Sequence, residues 1–240
     1  MKTELQMLLM ELRAMRLSPM ATCLADWVAE PSNRNRSVLD CIQEMIAAQR
    51  AKMDGSRVKR FFHAADLPPS TCLSDVHASE ARGLSKRMVA ELATCEWVRQ
   101  GHQLIFMGPS GTGKTYIVSA LSAQARLRGF QVAYYRVPDL WDVLDELKRK
   151  ERKKFLARLT KVPLLVLDDF AARKASTKQG YDLWKVLDAR SRNERSTMVA
   201  SPSHRQDWET YFEDPTTADA ICVRLDRKAQ VIELKRTTPA

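Results

Sequence analysis

Residues 103–115 read QLIFMGPSGTGKT, a short apolar run followed by a glycine-rich turn. The last eight residues match the pattern GxxxxGK[ST] in full. The apolar run predicts a buried strand, and the spacing of Ile117, Ala120 and Leu121 predicts a helix directly after the turn. Glycines allow the backbone N–H groups to converge, and a helix adds the positive end of its dipole at the same point. The stretch therefore predicts a phosphate-binding site, although a plain glycine turn between strand and helix is the structural alternative.

The predicted site implies ATP as ligand and Mg²⁺ as its counter-ion. The Lys114 ammonium would reach the β- and γ-phosphates, and the Thr115 hydroxyl would ligate Mg²⁺. The predicted nucleotide-binding residues are Gly108, Pro109, Ser110, Gly111, Thr112, Gly113, Lys114, Thr115 and Tyr116.

A second apolar run, LLVLDD at 164–169, ends in two carboxylates. One predicted strand, at 131–136, lies between this run and the glycine turn. The strand that completes a phosphate site with the glycine turn is expected at such a position. We expect Asp168 to hold Mg²⁺ with Thr115, and Asp169 to polarise the water that attacks the γ-phosphate. A plain strand-terminal turn is the alternative.

The rest of the chain predicts an α/β fold preceded by a helical unit. Five apolar runs, at 103–108, 131–136, 163–169, 196–201 and 229–234, alternate with helical patterns. Such alternation favours a mostly parallel sheet covered on both faces. The expected organisation is a small helical N-terminal domain at 1–62, a linker at 63–79 that contains Pro68 and Pro69, and an α/β domain at 80–240.

Composition and charge narrow the class of protein. The 240 residues carry a formal net charge of +10, which favours a polyanionic partner. The five cysteines form no CxxC pair, so neither a disulfide framework nor a zinc site is predicted. No stretch approaches the roughly 18 consecutive apolar residues of a membrane span. We therefore expect a cytoplasmic protein with no membrane contact.

The densest charge lies in KRKERKKFLARLTK at 148–161, where eight Lys or Arg oppose one Glu and so contribute +7 of the +10. A helix here would align Lys150, Lys154 and Arg158 with Lys161, while Phe155 and Leu159 pack on the domain. A solvated charged helix is the alternative. A second, weaker basic cluster spans 50–60. The predicted DNA-binding residues are Lys148, Arg149, Lys150, Arg152, Lys153, Lys154, Arg158 and Lys161.

At this point the chain resembles a known family, the IstB-type transposition helper ATPases, which are AAA+ proteins related to the DnaC helicase loaders. The resemblance covers nearly the whole chain. It includes LRAMRLSPMATCLADW at 12–27, the glycine turn, VLDDF at 166–170, RSTMVAS at 195–201, Trp208 and VIELK at 231–235. The most specific part is EDPTTADAICVRL at 213–225.

The resemblance implies a five-stranded AAA+ domain that binds ATP and assembles into homo-oligomers on duplex DNA. There it would select and remodel target DNA and stimulate the transposase of the same insertion sequence. It also implies that Arg224 acts as an arginine finger, a third catalytic residue beside Lys114 and Asp169, on the nucleotide of a neighbouring subunit.

The chain departs from the family pattern at three places. Pro202 replaces the Asn or Gln that orients the attacking water, Val223 replaces the Asp before Arg224, and Thr238-Pro239-Ala240 replaces a Ser-Tyr-Arg-like ending. These departures predict slow or absent hydrolysis. A helicase loader, a scaffold that does not respond to nucleotide and, least favoured, a metabolic kinase are the alternatives.

Overall fold

A computed structural model describes residues 2–15, 17–49 and 71–236. The chain divides into two compact units, Met1–Arg60 and Phe61–Ala240. Residues 63–70 of the predicted linker lie outside the described residues. The described remainder, 71–79, contains a 3-10 turn at Leu73–Asp75, and Val76 is buried in the core of the second unit. The predicted domain boundaries stay predictions.

The described part of the N-terminal unit is helical, as predicted. It contains α1 (Lys2–Ala14), α2 (Ser18–Ala29) and α3 (residues 38–49). Ser37 and Asp40 form reciprocal side chain-to-backbone hydrogen bonds at the start of α3, which satisfy N–H groups that a helix leaves open. The second basic cluster, at 50–60, lies outside the described residues.

The second unit is built on a five-stranded, fully parallel sheet, which confirms the predicted fold class. The strand order is β2-β3-β4-β1-β5, so β4 lies between β1 and β3. The strands are β1 (Gln103–Met107), β2 (Val132–Arg136), β3 (Leu164–Asp168), β4 (Ser196–Ser201) and β5 (Ala229–Glu233).

Helices cover both faces of this sheet. Tyr134 and Tyr135 are consecutive on β2 and point to opposite faces. The Tyr134 hydroxyl accepts a hydrogen bond from Ser119 of α6 (Lys114–Leu127). The Tyr135 ring packs edge-on against Phe155 of α8 (Arg149–Lys161), with ring centroids 5.6 Å apart. Helices α6 and α8 therefore lie on opposite faces. The helices of this unit are α4 (Lys86–Ala93), α5 (Glu96–Arg99), α6 (Lys114–Leu127), α7 (Val137–Glu146), α8 (Arg149–Lys161), α9 (Thr177–Arg192) and α10 (Pro215–Asp226).

Burial explains why the central strands β1 and β3 are apolar along almost their whole length. Every residue of β1, β3 and β4 is buried, because helices exclude water from both sides of the sheet. The edge strand β5 buries only Ile232 of its five residues. Within the described residues, no helix combines the length and the apolar character that crossing a membrane requires.

Candidate functional site

The predicted site residues meet at the carboxyl edge of the sheet. Arg136 at the end of β2 pairs with Asp168 at the end of β3, and Met107 at the end of β1 pairs with Ser201 at the end of β4. Because all the strands are parallel, the glycine turn after β1 and the carboxylates after β3 emerge at the same edge. The sheet topology, and not sequence proximity, brings them together.

The glycine turn requires its glycines. Gly108 has φ 140° and Gly111 has φ 85°, backbone conformations that residues with a Cβ rarely adopt. A Cβ on Gly108 would also overlap the carbonyl oxygen of Leu234. Helix α6 begins at Lys114, so its unpaired N–H groups and the positive end of its dipole are directed at the turn.

Lys114 is buried inside this turn. Its Nζ donates hydrogen bonds to the carbonyl oxygens of Gly108 at 2.7 Å and Pro109 at 2.9 Å. Burial lowers the pKa of Lys114, while the charges of Asp169 and Asp168 oppose that shift. The ammonium is thus held at the turn by dipoles and nearby carboxylates, which leaves it able to exchange carbonyl oxygens for phosphate oxygens.

Asp168 is a buried carboxylate whose two oxygens both accept hydrogen bonds. Thr115 Oγ1 donates to one oxygen at 3.3 Å, and the Tyr134 hydroxyl donates to the other at 2.5 Å. Burial raises the pKa of Asp168, and the Tyr134 hydrogen bond acts against it. A hydroxyl and a carboxylate side by side form an oxygen donor set of the kind that Mg²⁺ binds, so the residues present fit that ion.

Asp169 forms an ion pair with Arg136. Its φ of 53° is left-handed, a conformation that costs a non-glycine residue on the order of 1 kcal/mol or more. The turn directs its carboxylate to Arg136, which donates from Nε at 3.0 Å and from Nη2 at 2.7 Å. This ion pair raises the pKa of Arg136. Asp169 is therefore presented at the edge of the sheet but is engaged by a cation.

A cavity of about 640 Å³ is lined by Lys114, Thr115, Arg136 and Asp169, whereas the buried Asp168 lies behind its wall. Six of the nine predicted nucleotide-binding residues line it, whereas Gly108, Pro109 and Thr112 do not. Pro202 lies on the wall, at the position where the family pattern has a polar side chain. The full lining is Thr71, Ser110, Gly111, Gly113, Lys114, Thr115, Tyr116, Arg136, Pro138, Asp169, Ala172 and Pro202.

Several residues at the site were missed by the sequence analysis. Arg136 ends the predicted strand QVAYYR, so its position at the carboxyl edge could have indicated it. Tyr134 could not be found this way, because its contact with Asp168 depends on the pairing of β2 with β3. Thr71, Pro138 and Ala172 carry no sequence signal that we recognise.

The basic run forms helix α8, and most of its cations face solvent. Phe155 and Leu159 are buried against the domain. Arg152 is not on the exposed face: its guanidinium is buried and donates to Asp182 of α9 and to the Leu144 carbonyl. A buried guanidinium cannot reach a phosphate on the surface, so Arg152 is excluded from the predicted DNA-binding residues. The other seven are all exposed, and we call them the basic face: Lys148, Arg149, Lys150, Lys153, Lys154, Arg158 and Lys161.

Arg224 lies on α10, outside the cavity of its own chain. Its guanidinium donates to Asp188 at 3.3 Å and 3.4 Å and to the Ala220 carbonyl at 3.2 Å. The side chain is 30% exposed. Within one chain, Arg224 therefore does not line the cavity that Lys114 and Asp169 line.

The glycine turn after β1, the buried Asp at the end of β3 and the intervening strand β4 define the ATP-binding fold of the AAA+ class. The chain belongs to the family of IstB-like ATP binding proteins, whose model matches residues 10–238.

Relatives from insertion sequences agree with this assignment. The chain is 33% identical over 167 residues to the insertion sequence IS1162 putative ATP-binding protein of Pseudomonas fluorescens, covering 68% of this chain and 71% of the relative. It is 27% identical to the IS21 putative ATP-binding protein of Pseudomonas aeruginosa, covering 97% and 86% respectively.

Known structures share the fold. The DnaI crystal structure superposes with a TM-score of 0.59 at 24% identity, covering 69% of this chain and 91% of that one. The DnaC helicase loader gives a TM-score of 0.56 at 20% identity, covering 74% and 99%. At these identities the similarity establishes the fold alone.

Proposed function

We propose that this protein is an ATP-controlled helper of transposition that assembles on duplex DNA and stimulates the transposase of its own insertion sequence. Its family and the insertion-sequence origin of its relatives support this. The proposal that the protein binds DNA depends mainly on the position of the basic face. Helix α8 ends at Lys161, and β3 runs from Leu164 to Asp168, which accepts a hydrogen bond from Thr115 of the cavity wall.

The basic face suits a phosphate backbone. From Lys150 to Lys161 the helix extends about 16 Å at 1.5 Å per residue, roughly the length of five base pairs. Contacts of lysine and arginine with phosphates carry no sequence information and weaken as salt increases. Target preference would then come from the deformability of the DNA.

The same segment connects DNA to nucleotide. Only two residues join α8 to β3, the strand that ends in Asp168, so we propose that the helix and that carboxylate move together. The C-terminal end of α8 is held to the sheet by Arg190, which donates to the carbonyls of Leu159 at 2.6 Å and Val162 at 2.8 Å. DNA held by the basic face and ATP held at the cavity would therefore influence each other through one packed element.

We infer the following roles at the nucleotide. Lys114 binds the β- and γ-phosphates, Thr115 and Asp168 hold Mg²⁺, and Asp169 orients the attacking water once Arg136 releases it. Bound Mg²⁺ supplies charge neutralisation at the phosphates. Pro202 offers no donor to that water, so we propose that hydrolysis is slower than about 1 s⁻¹, the low end for enzymes.

We propose that Arg224 links nucleotide binding to the assembly of several copies of the chain. Because it lies outside its own cavity, it can complete a nucleotide site only on a neighbouring copy of the chain. Its pairing with Asp188 would have to open for that contact. Assembly would then be coupled to the presence of the γ-phosphate.

Charge reversal on the basic face tests the DNA-binding proposal. In the triple variant Lys150→Glu, Lys154→Glu and Lys161→Glu, we expect duplex affinity to fall at least about 100-fold near 100 mM salt. The slope of log K against log salt should decrease by about 3, since three phosphate contacts are lost. Fluorescence anisotropy with labelled duplex over a salt series measures both.

The matched control reverses three exposed cations on the other face of the sheet, Lys86, Arg87 and Arg128. It has the same net charge as the test variant and should retain most of the affinity. Equal loss in both variants would show that only the overall charge matters, which contradicts a defined DNA face. A wild-type preference for single strands over duplex would favour a helicase loader instead.

A further inference from the structure

Two chain segments distant in sequence pack against the glycine turn. The segment after β5 hydrogen-bonds from Leu234 N to the Met107 carbonyl at 2.7 Å and from Lys235 N to the Arg82 carbonyl at 3.0 Å. Gly83, in the turn before α4, has no room for a side chain, because a Cβ there would overlap the carbonyl oxygen of Glu233. The two segments and the start of the glycine turn thus form one tightly packed backbone unit.

Each segment directs an arginine to the glycine turn. Arg236 Nη2 donates to the Ser110 carbonyl at 3.0 Å. Arg82 Nη2 donates to the Thr112 carbonyl, and its Nη1 donates to the His77 carbonyl. Neither arginine lines the cavity, whereas Ser110, Gly111 and Gly113 do. The guanidinium groups therefore contact the turn from outside the cavity.

Because the peptide bond is planar, these contacts with the carbonyl groups also fix the direction of the neighbouring N–H groups. The Ser110 carbonyl and the Gly111 N–H belong to one trans peptide unit and point in opposite directions, and the same holds for the Thr112 carbonyl and the Gly113 N–H. A guanidinium that holds the carbonyl outward therefore aims the N–H inward. Converging N–H groups are what a phosphate-binding nest requires.

We propose that Arg82 and Arg236 are positioning residues that preorganise the phosphate nest by fixing the peptide planes of Gly111 and Gly113. The proposal rests on the nucleotide site proposed above and adds a role that lies behind the turn. It differs from a contact of an arginine with the terminal phosphate, because a preformed nest serves ATP and ADP alike. Without the two cations the same peptides can rotate, and part of the binding energy is spent on ordering them.

The test is the affinity for both nucleotides. We expect Arg236→Ala and Arg82→Ala each to weaken binding of ATP and of ADP by a similar factor, about 5- to 20-fold, as for loss of one charge-assisted hydrogen bond. Arg236→Lys should recover part of the affinity, since it keeps the charge but not the planar donor geometry. Titration calorimetry on the full chain gives the dissociation constants.

Lys235→Ala is the matched control, because Lys235 is exposed and contacts Arg82 through its backbone N–H, which the substitution keeps. Arg236 is also exposed, so its variants should keep the wild-type unfolding midpoint even if Arg82→Ala does not. Unchanged affinity in Arg236→Ala, or a loss confined to ATP, would overturn the proposal. Failure of the wild-type protein to bind either nucleotide would refute the site itself, which is a separate result.

Discussion

At the scale of single residues, two consecutive aspartates have different environments and hence different chemistry. Asp168 is buried and accepts hydrogen bonds on both oxygens, which suits a carboxylate with a fixed orientation. Asp169 has a left-handed backbone conformation and lines the cavity. The sequence predicted different roles for the two aspartates but not the left-handed turn between them, because the backbone conformation of Asp169 has no signature in LLVLDD.

The substitution Asp169→Asn tests whether Asp169 orients the attacking water while Asp168 holds Mg²⁺. Asparagine tolerates a positive φ, so the turn should persist, while the group that orients water loses its charge. We expect hydrolysis to fall at least about 100-fold, with the ATP dissociation constant changed less than about threefold. Single-turnover phosphate release and nucleotide titration measure the two quantities. As a control, Asp142→Asn removes an exposed carboxylate paired with Arg173 and should change neither. Retained hydrolysis in Asp169→Asn would exclude the proposed role.

At the scale of elements, α8 shows how a helix so rich in charge is anchored. Its buried apolar side chains are Phe155 and Leu159, and Arg190 of α9 is buried below its last turn. Burial lowers the pKa of Arg190, and the hydrogen bonds to carbonyls compensate for the lost hydration. Its acceptors are the carbonyls of Leu159, Val162, Pro163 and Ser196, together with the Thr197 hydroxyl.

Arg190→Leu should therefore destabilise the protein by about 3 to 5 kcal/mol, because it leaves several buried carbonyls without donors. Urea denaturation followed by circular dichroism measures the change. Arg192→Leu, two residues later and 73% exposed, removes a surface ion pair with Asp188 and should cost less than about 1 kcal/mol. Equal effects of the two substitutions would mean that Arg190 does not anchor α8.

The helical spacing of α8 determines which of its side chains face the domain, but not which partners they meet there. Helical spacing correctly placed Phe155 and Leu159 inside and Lys150 and Lys154 outside. It could not identify Arg152 as buried, because the reason is Asp182, a residue on a different helix. Side chains that contact each other only through tertiary packing cannot be identified from the spacing of residues within one helix.

At the scale of the whole molecule, the fold was predictable because strand and helix patterns alternate without ambiguity. The glycine turn and Asp168 were predictable because they follow apolar strands that must share one edge of a parallel sheet. The contacts of Arg136, Arg82 and Arg236 were not, since each joins segments far apart in sequence. The exposed cations of α8 and the pair Arg82 and Arg236 thus serve different proposed roles.

The central claim is that the nucleotide site controls assembly on DNA. Binding to a duplex of about 50 base pairs, with the size of the complex measured by light scattering, tests it most directly. We compare ATP with Mg²⁺, ADP and no nucleotide, and repeat the ATP condition with Lys114→Ala. Large complexes that form only with ATP and disappear in the variant are the predicted result. Complexes of the same size in every condition would contradict the claim and favour a scaffold that does not respond to nucleotide.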